Sequence, residues 1–486
     1  MSNPMMLSDF YKTDHRRQYP PGTENVYSNW TPRGSRIPGI DGVVVFGIQY
    51  FIKRWLIQEW NDHFFNRPAD AVVPQYKKML KTAGLDVPMD HVYDLHKLGY
   101  LPLKIKALPE GSICPMRVPM MTVVNTHTGF GWLPNFLETL LSCELWGPMT
   151  SATIAHSYRK LLNDWCEKTG GASESVAFQG HDFSMRGMRG IEAAAASGAG
   201  HLLSFNGTDT IVSIPWLQKW YNGVGFIGGS VPATEHSVMC LGGEGAGEFE
   251  TFKRLITETY PSGIVSIVSD TWDLWQVLTE YMPRLHKEIM ARDGKVVIRP
   301  DSSLTTPQDI ICGGGTGMTT PAQRGVVQLL WDEFGGTVND KGFRELDPHV
   351  GCIYGDAITY ERAQDICVRL RNAGFASTNV VFGIGSYTYQ YNTRDTFGFA
   401  MKATAGVVNG ELREIYKDPV TDDGLKRSAR GLLRVDVGPM GEYYLRDQCS
   451  VEEERGGELV TVFKNGNLVR ETSLDEIRSK ICLKQI

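Results

Sequence analysis

Four polar side chains close one short apolar segment and could bind a polar ligand. The segment begins Val296-Val-Ile and ends in Arg299-Pro-Asp301-Ser302-Ser303. A guanidinium, a carboxylate and two hydroxyls at one strand end can hold a ribose, a Mg²⁺-bound phosphate or the polar edge of a small heterocycle. Taken alone, a structural Arg–Asp ion pair explains this pattern about as well.

Two further aspartates follow apolar segments in the same way. Asp209 ends Phe205-Asn-Gly-Thr-Asp, and Asp356 ends Tyr354-Gly-Asp. Either carboxylate on its own could simply cap a helix. Because the pattern recurs at three predicted strand ends, it favours a functional site.

His236 follows Glu235 in the turn-prone segment Ser230-Val-Pro-Ala-Thr. A histidine beside a carboxylate can act as a base or as a nucleophile that accepts a phosphoryl group. A lone histidine is more often structural, so the context of His236 has to decide between these interpretations.

Phe183 and Arg186 add an aromatic ring and a cation to the candidate site. They lie in His181-Asp-Phe-Ser-Met-Arg, just past another apolar run. Such a pair suits the stacking of a flat ring beside an anion. The alternative is that Phe183 belongs to the hydrophobic core.

Four segments share one pattern, a short apolar run followed by a polar or glycine-rich turn, and would position these side chains. They are residues 264–270, 296–301, 352–356 and 380–385. Such runs are typical of fully buried parallel strands, and in a (β/α) barrel the residues at the C-terminal strand ends form the mouth of the active site. Further strands are predicted at 176–179 and 202–205, with a helix at 190–200 between them.

The two ends of the chain lack this alternation. Helices are expected near 48–64, 70–83, 131–146 and 150–168, strands at 103–107 and 120–124, and a hairpin at 459–469 that turns at Asn465-Gly466. The fold class is therefore predicted as α/β with two domains. Residues 1–150 with 395–486 form a mixed α+β domain, and residues 151–394 form an irregular (β/α) barrel that carries the site.

The composition is that of an ordinary globular protein and argues against several classes of partner. The 486 residues are 42% hydrophobic and 21% charged, and the net charge is −6. This balance speaks against a broad surface for nucleic acid or an anionic membrane. There is no uncharged apolar run of about 18 residues, and the first ten residues show neither the basic nor the apolar region of a signal peptide, so we expect none. The nine cysteines have no metal-ligand spacing, so we expect free thiols in a cytoplasmic protein.

The motifs resemble those of a known family along nearly the whole chain. The matching stretches include Asp9-Phe-Tyr11, His181-Asp-Phe183-Ser-Met-Arg186-Gly, Gly207-Thr-Asp209-Thr, Glu235-His236-Ser, Ser266-Ile-Val-Ser-Asp270, Arg299-Pro-Asp301-Ser, Gly355-Asp356, Thr393-Arg394-Asp and Lys417-Asp-Pro-Val. In this order they resemble the nicotinamide phosphoribosyltransferases, type II phosphoribosyltransferases of NAD salvage. The resemblance implies a type II phosphoribosyltransferase barrel and transfer of the phosphoribosyl group from phosphoribosyl pyrophosphate to nicotinamide, with Mg²⁺.

The resemblance also implies roles for individual residues. It assigns substrate contacts to Phe183, Tyr11, Asp209, Arg299 and Asp9; phosphate and ribose contacts to Arg186, Arg394, Gly355, Asp356, Gly385, Ser266, Arg33, Lys402 and Lys417; catalysis to His236, Asp301, Glu235 and Asp270; and metal binding to Asp270 and Asp301. Phe183 would stack on one face of the pyridine ring and Tyr11 of the partner subunit on the other. Asp209 would accept a hydrogen bond from the carboxamide and repel a carboxylate.

The resemblance further implies a homodimer with shared active sites and an optional coupling to ATP. Arg33, Lys402 and Lys417 would reach the site across the dimer interface, and His236 would become phosphorylated when ATP is hydrolysed. The sequence departs from the family pattern at Ser303, Ser386 and Gly229, and the first two changes affect the ribose-phosphate turns.

Three other interpretations compete with this one. A nicotinate phosphoribosyltransferase would share the architecture but bind a carboxylate, and Asp209 discriminates against it. A non-catalytic binding protein on the same fold would have no need of His236, Asp301 and Asp356 as a set. Another barrel enzyme acting on phosphorylated sugars would leave Tyr11, Phe183 and Asp209 without a shared role.

Overall fold

The computed structural model describes residues 3–302, 306–314, 317–416 and 429–483. Within these ranges the chain forms two compact units. The first contains the residues up to Thr153, the segment Trp216–Gly223 and the residues from Asn392 onward, and the second contains Ile154–Pro215 and Val224–Tyr391. The segment Trp216–Gly223 therefore packs with the first unit although it lies within the range predicted for the barrel.

Nineteen strands are found in the described part of the chain. In order they are β1 (Thr23–Thr31), β2 (Gly42–Val44), β3 (Leu103–Ala107), β4 (Ile113–Pro115), β5 (Met121–Asn125), β6 (Gly180–Asp182), β7 (Gly207–Thr208), β8 (Ser262–Val268), β9 (Asp293–Arg299), β10 (Gly336–Val338), β11 (Arg344–Leu346), β12 (Val350–Tyr354), β13 (Val380–Ile384), β14 (Ala400–Val408), β15 (Glu411–Glu414), β16 (Leu432–Val437), β17 (Tyr443–Cys449), β18 (Val460–Lys464) and β19 (Asn467–Leu468).

The longer α-helices lie between these strands. They span Ala69–Thr82, Asp90–Leu98, Glu138–Thr169, Ile191–His201, Ser213–Tyr221, His236–Gly242, Ala246–Arg254, Pro307–Cys312, Pro321–Phe334, Tyr360–Asn372 and Leu474–Leu483. Short helices at Ile48–Phe51, Leu133–Phe136, Val176–Gln179 and Ser386–Tyr389 complete the set used below. In the described residues no helix is both long and apolar enough to cross a membrane.

The second unit is built on a parallel sheet with the strand order β7-β6-β13-β12-β9-β8. The segment 229–233 pairs with both edges of this sheet, because Gly229 pairs with Gly207 in β7 and Ala233 pairs with Ser266 in β8. These pairings close the sheet into an irregular (β/α) barrel. The C-terminal ends of its parallel strands therefore meet at one mouth.

Apolar strand residues form the core of this unit. Val265, Ile267, Val296 and Ile298 are fully buried and belong to a cluster that also contains side chains of the flanking helices, such as Phe252. Burying each side chain of this size contributes about 1.5–3 kcal/mol. The carboxylates Asp209, Asp301 and Asp356 lie just beyond the C-terminal ends of strands of this sheet, where the site is formed.

The four repeated segments are strands as predicted, but the two predicted before them are wrong. Residues 176–179 form a short helix, and residues 202–205 are the turn that ends the helix Ile191–His201. The strands come later, as β6 and β7. Apolar runs of four residues do not distinguish helix from strand, and here Phe205 donates its N–H to the carbonyl of His201, so the run completes a helix end.

The first unit is built on an antiparallel sheet with the order β15-β14-β1-β5-β3-β18-β19. The predicted C-terminal hairpin is confirmed, since Asn465 and Gly466 both have positive φ angles of 49° and 80° between β18 and β19. The helix expected near 48–64 is also present, partly with the wider turns of a π-helix. The two helices expected at 131–146 and 150–168 are instead Leu133–Phe136 and one long helix that continues through Pro148.

Candidate active site

Phe183 lies on two glycines at the mouth of the barrel. Its N–H donates to the carbonyl of Ile384 at 3.0 Å, which fixes the turn after β6 against the end of β13. A Cβ atom on Gly355 would lie 2.9 Å from the Phe183 ring, and one on Gly383 would lie 2.5 Å from the ring atom Cε2. The ring can occupy this position only because both residues lack a side chain.

Asp209 follows β7, and both hydrogen bonds to its side chain converge on one oxygen. Oδ1 accepts from His181 Nε2 at 2.9 Å and from Ser230 Oγ at 2.5 Å. Burial raises the pKa of the carboxyl, but these hydrogen bonds and the charges of His181 and Arg299 outweigh it, so the pKa of Asp209 lies below its ordinary value. Asp209 is therefore an anion at neutral pH.

Two buried donors of the second unit lack partners among the described residues. Arg299 Nη2 donates to the carbonyl of Thr234 at 2.5 Å, but its Nε has no hydrogen-bond acceptor. Ser266 Oγ is also buried without a partner. Burial lowers the pKa of Arg299, and the charges of Asp301, Asp209 and Asp270 act against this shift. Unmatched buried donors carry an energetic penalty, so acceptors on a ligand would stabilise the site.

Asp270 connects His236 to the turn after β9. Its Oδ1 lies 3.3 Å from His236 Nε2, and its Oδ2 accepts from the Asp301 N–H at 2.8 Å and from Ser302 Oγ at 2.5 Å. The Asp270 side chain is 6% exposed, whereas that of His236 is 46% exposed. A buried carboxylate thus orients an accessible imidazole, whereas Glu235 accepts from Ser237 and makes no contact with His236 that the structure shows.

Asp301 and Asp356 are two carboxylates that follow the paired strands β9 and β12. Burial raises the pKa of Asp356, the charge of Asp301 raises it further, and Arg362 acts in the opposite direction. The described residues contain no group of three or more His, Cys, Asp and Glu side chains that could hold a metal ion by themselves. Mg²⁺ is commonly bound by one or two carboxylates together with substrate phosphates, so this pair fits Mg²⁺ that arrives with a phosphorylated substrate.

The turns at Gly385 and Arg186 lie side by side. A Cβ atom on Gly187 would collide with the side chain of Ser386, so these two chain segments are in close contact. Arg186 itself is exposed. Ser386, where the family pattern has glycine, is accommodated by packing on Gly187. Ser303, the other departure at a phosphate turn, lies outside the described residues.

The remaining predicted site residues belong to the first unit. Asp9 accepts from Thr139 Oγ1 at 2.6 Å, Arg33 Nε donates to the carbonyl of Gly398 at 2.9 Å, and Arg394 pairs with its neighbour Asp395 at 3.2 Å. Tyr11 is 63% exposed, and Lys402 lies on β14 with an exposed side chain. Lys417 lies outside the described residues.

Sequence reasoning gave no individual role to His181 and Ser230, which hold Asp209. Both were within the motifs quoted above, so a signal was present, but only the fold shows that they meet the same carboxylate oxygen. Two other residues, His201 and Tyr389, lie in no sequence motif that indicates a function. In the fold they form a buried hydrogen-bonded pair beside β7.

A cavity of about 320 Å³ lies in the first unit and contains none of the site residues predicted from the sequence. Its lining includes Ile48, Leu108, Glu110, Val462 and Arg470, none of which was predicted for the site. Convergent charges, unmatched donors and glycine-lined space are found instead at the barrel mouth, and we take that mouth as the candidate active site.

The sequence matches two family models. The model of the nicotinate phosphoribosyltransferase (NAPRTase) family covers residues 178–467, and the model of the nicotinamide phosphoribosyltransferase N-terminal domain covers residues 3–105. A nicotinamide phosphoribosyltransferase of Acinetobacter baylyi is 54% identical to this chain over 99% of it and 97% of the relative. One of Xanthomonas campestris pv. campestris is 33% identical over 99% and 98%.

Solved structures show the same fold at low sequence identity. The crystal structure of human nicotinic acid phosphoribosyltransferase covers 99% of this chain and 94% of its own, with a TM-score of 0.57 and 15% identity. A nicotinate-nucleotide pyrophosphorylase from Pyrococcus furiosus gives a TM-score of 0.58 at 15% identity, over 98% and 94% of the two chains. The predicted type II phosphoribosyltransferase fold is confirmed. The chain belongs to the nicotinate phosphoribosyltransferase family, and the two bacterial relatives named above, which it matches over its full length, are nicotinamide phosphoribosyltransferases.

Proposed function

We propose that the protein transfers the 5-phosphoribosyl group of phosphoribosyl pyrophosphate to nicotinamide, giving nicotinamide mononucleotide and pyrophosphate. The observation that carries this proposal is the ionised carboxylate of Asp209 beside Phe183. Because His181 and Ser230 both occupy Oδ1, Oδ2 is left to accept the carboxamide N–H of nicotinamide. A nicotinate carboxylate at the same place would meet a like charge.

The other groups of the mouth fit the remaining parts of the reaction. Phe183 would stack on the pyridine ring, while Arg299 and Ser266 would donate to the substrate through the atoms that lack partners. Departure of pyrophosphate leaves positive charge at the ribose C1, as in glycoside chemistry, and the carboxylates of Asp301 and Asp356 can stabilise it or hold the metal ion. Bound Mg²⁺ would supply a positive charge that neutralises the leaving group.

Phosphate and ribose contacts are proposed at the turns that the family resemblance identifies. In the second unit these are Arg186, Gly355, Asp356 and Gly385. The cations Arg394, Arg33, Lys402 and Lys417 are proposed to bind the pyrophosphate or the 5-phosphate. We also propose the cytoplasm as the site of the reaction, in keeping with the buried cysteines Cys166, Cys352 and Cys367, which are free thiols.

The decisive experiment is product analysis with purified protein, phosphoribosyl pyrophosphate and Mg²⁺, with nicotinamide or nicotinate in parallel. We expect nicotinamide mononucleotide alone. In Asp209→Asn the ratio of kcat/KM for nicotinamide over nicotinate should fall by about 10-fold to 100-fold, because a hydrogen bond to a charged group contributes about 1.5–3 kcal/mol. Asp340→Asn, at an exposed position, serves as the matched control.

Nicotinate phosphoribosyl transfer is the second candidate, favoured by the family model that covers residues 178–467. Nicotinate mononucleotide as the main product, or an unchanged substrate ratio in Asp209→Asn, would move the assignment to that activity.

We propose that ATP hydrolysis is coupled to synthesis through phosphorylation of His236. Asp270 orients the imidazole and leaves it accessible, as a phosphoryl acceptor requires. His236→Ala should lose ATP-dependent stimulation while ATP-independent synthesis persists, measured as product formed with and without ATP. Stimulation that survives in this variant would disprove the phosphohistidine.

We also propose a homodimer in which Tyr11 of the partner subunit stacks on nicotinamide. Residues 8–12 are anchored by Ser8 Oγ on the carbonyl of Phe136 and by Lys12 on Glu138 at 2.6 Å, yet the Tyr11 ring remains exposed. Mixing unfolded Tyr11→Ala and Asp209→Ala chains and refolding them should restore about a quarter of the wild-type sites, because each heterodimer has one intact site of two. No restored activity would contradict a shared site.

A further inference from the structure

The single-turn helix Ser386–Tyr389 contacts each loop of the second unit proposed to hold the phosphoribosyl group. It follows Gly385 directly. Ser386 packs on Gly187, next to Arg186. Thr388 Oγ1 donates to the carbonyl of Ile358 at 2.8 Å, two residues beyond Asp356. A phosphorylated sugar at these loops would therefore press on or order this helix.

The last residue of the helix is hydrogen-bonded to a buried histidine. The Tyr389 hydroxyl lies 2.6 Å from His201 Nδ1, and His201 Nε2 lies 2.9 Å from the carbonyl oxygen of Gly207. A carbonyl can only accept, so Nε2 carries the proton and Nδ1 accepts from the tyrosine. Burial lowers the pKa of His201 to about 4, so the ring is neutral and this direction of the hydrogen bonds is fixed at neutral pH.

Gly207 belongs to the strand that leads to Asp209. It pairs with His181 in β6, whose side chain holds the Asp209 carboxylate. The His201 ring is also stacked on Phe205, with ring centroids 5.1 Å apart. The Phe205 ring in turn packs on Gly180 in β6, because a Cβ atom on Gly180 would lie only 2.8 Å from the ring. His201 is therefore in contact with β7 through the Gly207 carbonyl and with β6 through the Phe205 ring, and these two strands carry the proposed nicotinamide contacts.

We propose that Tyr389 and His201 are positioning residues that couple binding of the phosphoribosyl group at the Gly385 turn to binding of nicotinamide at Asp209. This proposal rests on the proposed function, since it takes the two substrates from it. The coupling passes through one buried chain of contacts, from the helix Ser386–Tyr389 through His201 to the Gly207 carbonyl. Ordering the helix fixes Tyr389, which fixes the imidazole and thereby the strand before Asp209.

The test measures the Kd of nicotinamide by calorimetry with and without saturating ribose 5-phosphate, which occupies the sugar-phosphate site without reacting. In the wild type we expect ribose 5-phosphate to tighten nicotinamide binding about fivefold or more, the lower end of typical coupling between sites. Tyr389→Phe removes only the hydroxyl and should reduce this factor to below about twofold. His201→Gln retains a donor for the Gly207 carbonyl but breaks the link to Tyr389, and should reduce the factor equally, without additivity in the double variant.

Tyr76→Phe is the matched control, because its buried hydroxyl has no hydrogen-bond partner among the described residues. It should leave the coupling factor unchanged. A wild type without coupling, or a Tyr389→Phe variant that weakens nicotinamide binding equally with and without ribose 5-phosphate, would overturn the proposal and leave the pair a purely structural role. The proposed function fails separately, if the wild type forms no nicotinamide mononucleotide from phosphoribosyl pyrophosphate.

Discussion

Gly383→Ala tests whether the position of the Phe183 ring determines nicotinamide binding. The new Cβ would lie 2.5 Å from Phe183 Cε2 and 2.7 Å from Gly355 Cα. Carbon atoms in contact are normally about 3.5–4.0 Å apart, so something has to move by about 1 Å. Gly355 follows β12, which is hydrogen-bonded to β13, and it cannot retreat without separating the two strands. We expect the ring to move.

The expected loss follows from the contact that the ring would make. An aromatic pair contributes about 1 kcal/mol beyond its buried area. Covering about 50 Å² of the apolar face of nicotinamide contributes about 1 kcal/mol more. Losing both corresponds to about 2 kcal/mol, or about a 30-fold fall in kcat/KM for nicotinamide.

The assay is steady-state kinetics with each substrate varied in turn. Most of the loss should appear in the KM of nicotinamide, while the KM of phosphoribosyl pyrophosphate changes by less than about twofold. Urea unfolding runs alongside, since overpacking costs about 1–3 kcal/mol and activity must be measured on folded protein. Gly147→Ala is the control, because a Cβ there meets nothing within 4 Å. A folded Gly383→Ala enzyme with an unchanged nicotinamide KM would refute the role of the ring.

Two buried groups in the first unit give further predictions. Burial raises the pKa of Glu110 from 4.5 to about 7, so its neutral form stabilises the fold below pH 4.5 and this contribution, about 3 kcal/mol, is lost as the pH rises through 7. In urea unfolding at pH 5.5 and 8.5, Glu110→Gln should therefore show a smaller fall in stability than the wild type, and an equal fall would contradict the assignment. Lys106→Met leaves the buried Glu454, now 3.0 Å from Lys106 Nζ, without its partner. It should cost about 3–5 kcal/mol in the same measurement, and Glu454→Leu added to it should recover most of the loss, whereas an additive loss would disprove the pairing.

The strands that could be predicted are those whose sequence alone carries the signal. The segments around 264–270 and 380–385 are short apolar runs that end at an aspartate or a glycine, and this local pattern was sufficient to predict a strand. β6 and β7 have three and two residues, too few for a period to be recognised. These two strands exist because they pair with β13 and with the segment 229–233. Both partners are too distant in sequence to be seen in a short stretch around β6 or β7.

In the candidate site, too, some residues could be predicted from local sequence and others depend on distant contacts. Phe183 and Asp209 could be identified because they lie in recognisable motifs at strand ends. The hydrogen-bond partners of Asp209 could not be assigned from the sequence. His181 and Ser230 are 28 and 21 positions away from it and contact it only in the closed barrel. Tyr389 is 188 positions from His201, and a tyrosine and a histidine at that separation carry no local signal of their contact.

The pairing of β6 with β13 has a consequence for synthesis of the chain. Phe382 in β13 pairs with Gly180 in β6, and the turn carrying Phe183 is held by Ile384. With about 200 residues between the paired strands and translation at about 5–20 residues per second, β13 emerges about 10–40 s after β6. Although β6 can pair with β7 soon after synthesis, its other edge and the aromatic turn that follows it must wait for β13 over that interval, and chaperones that shield apolar segments on the ribosome can protect them until then.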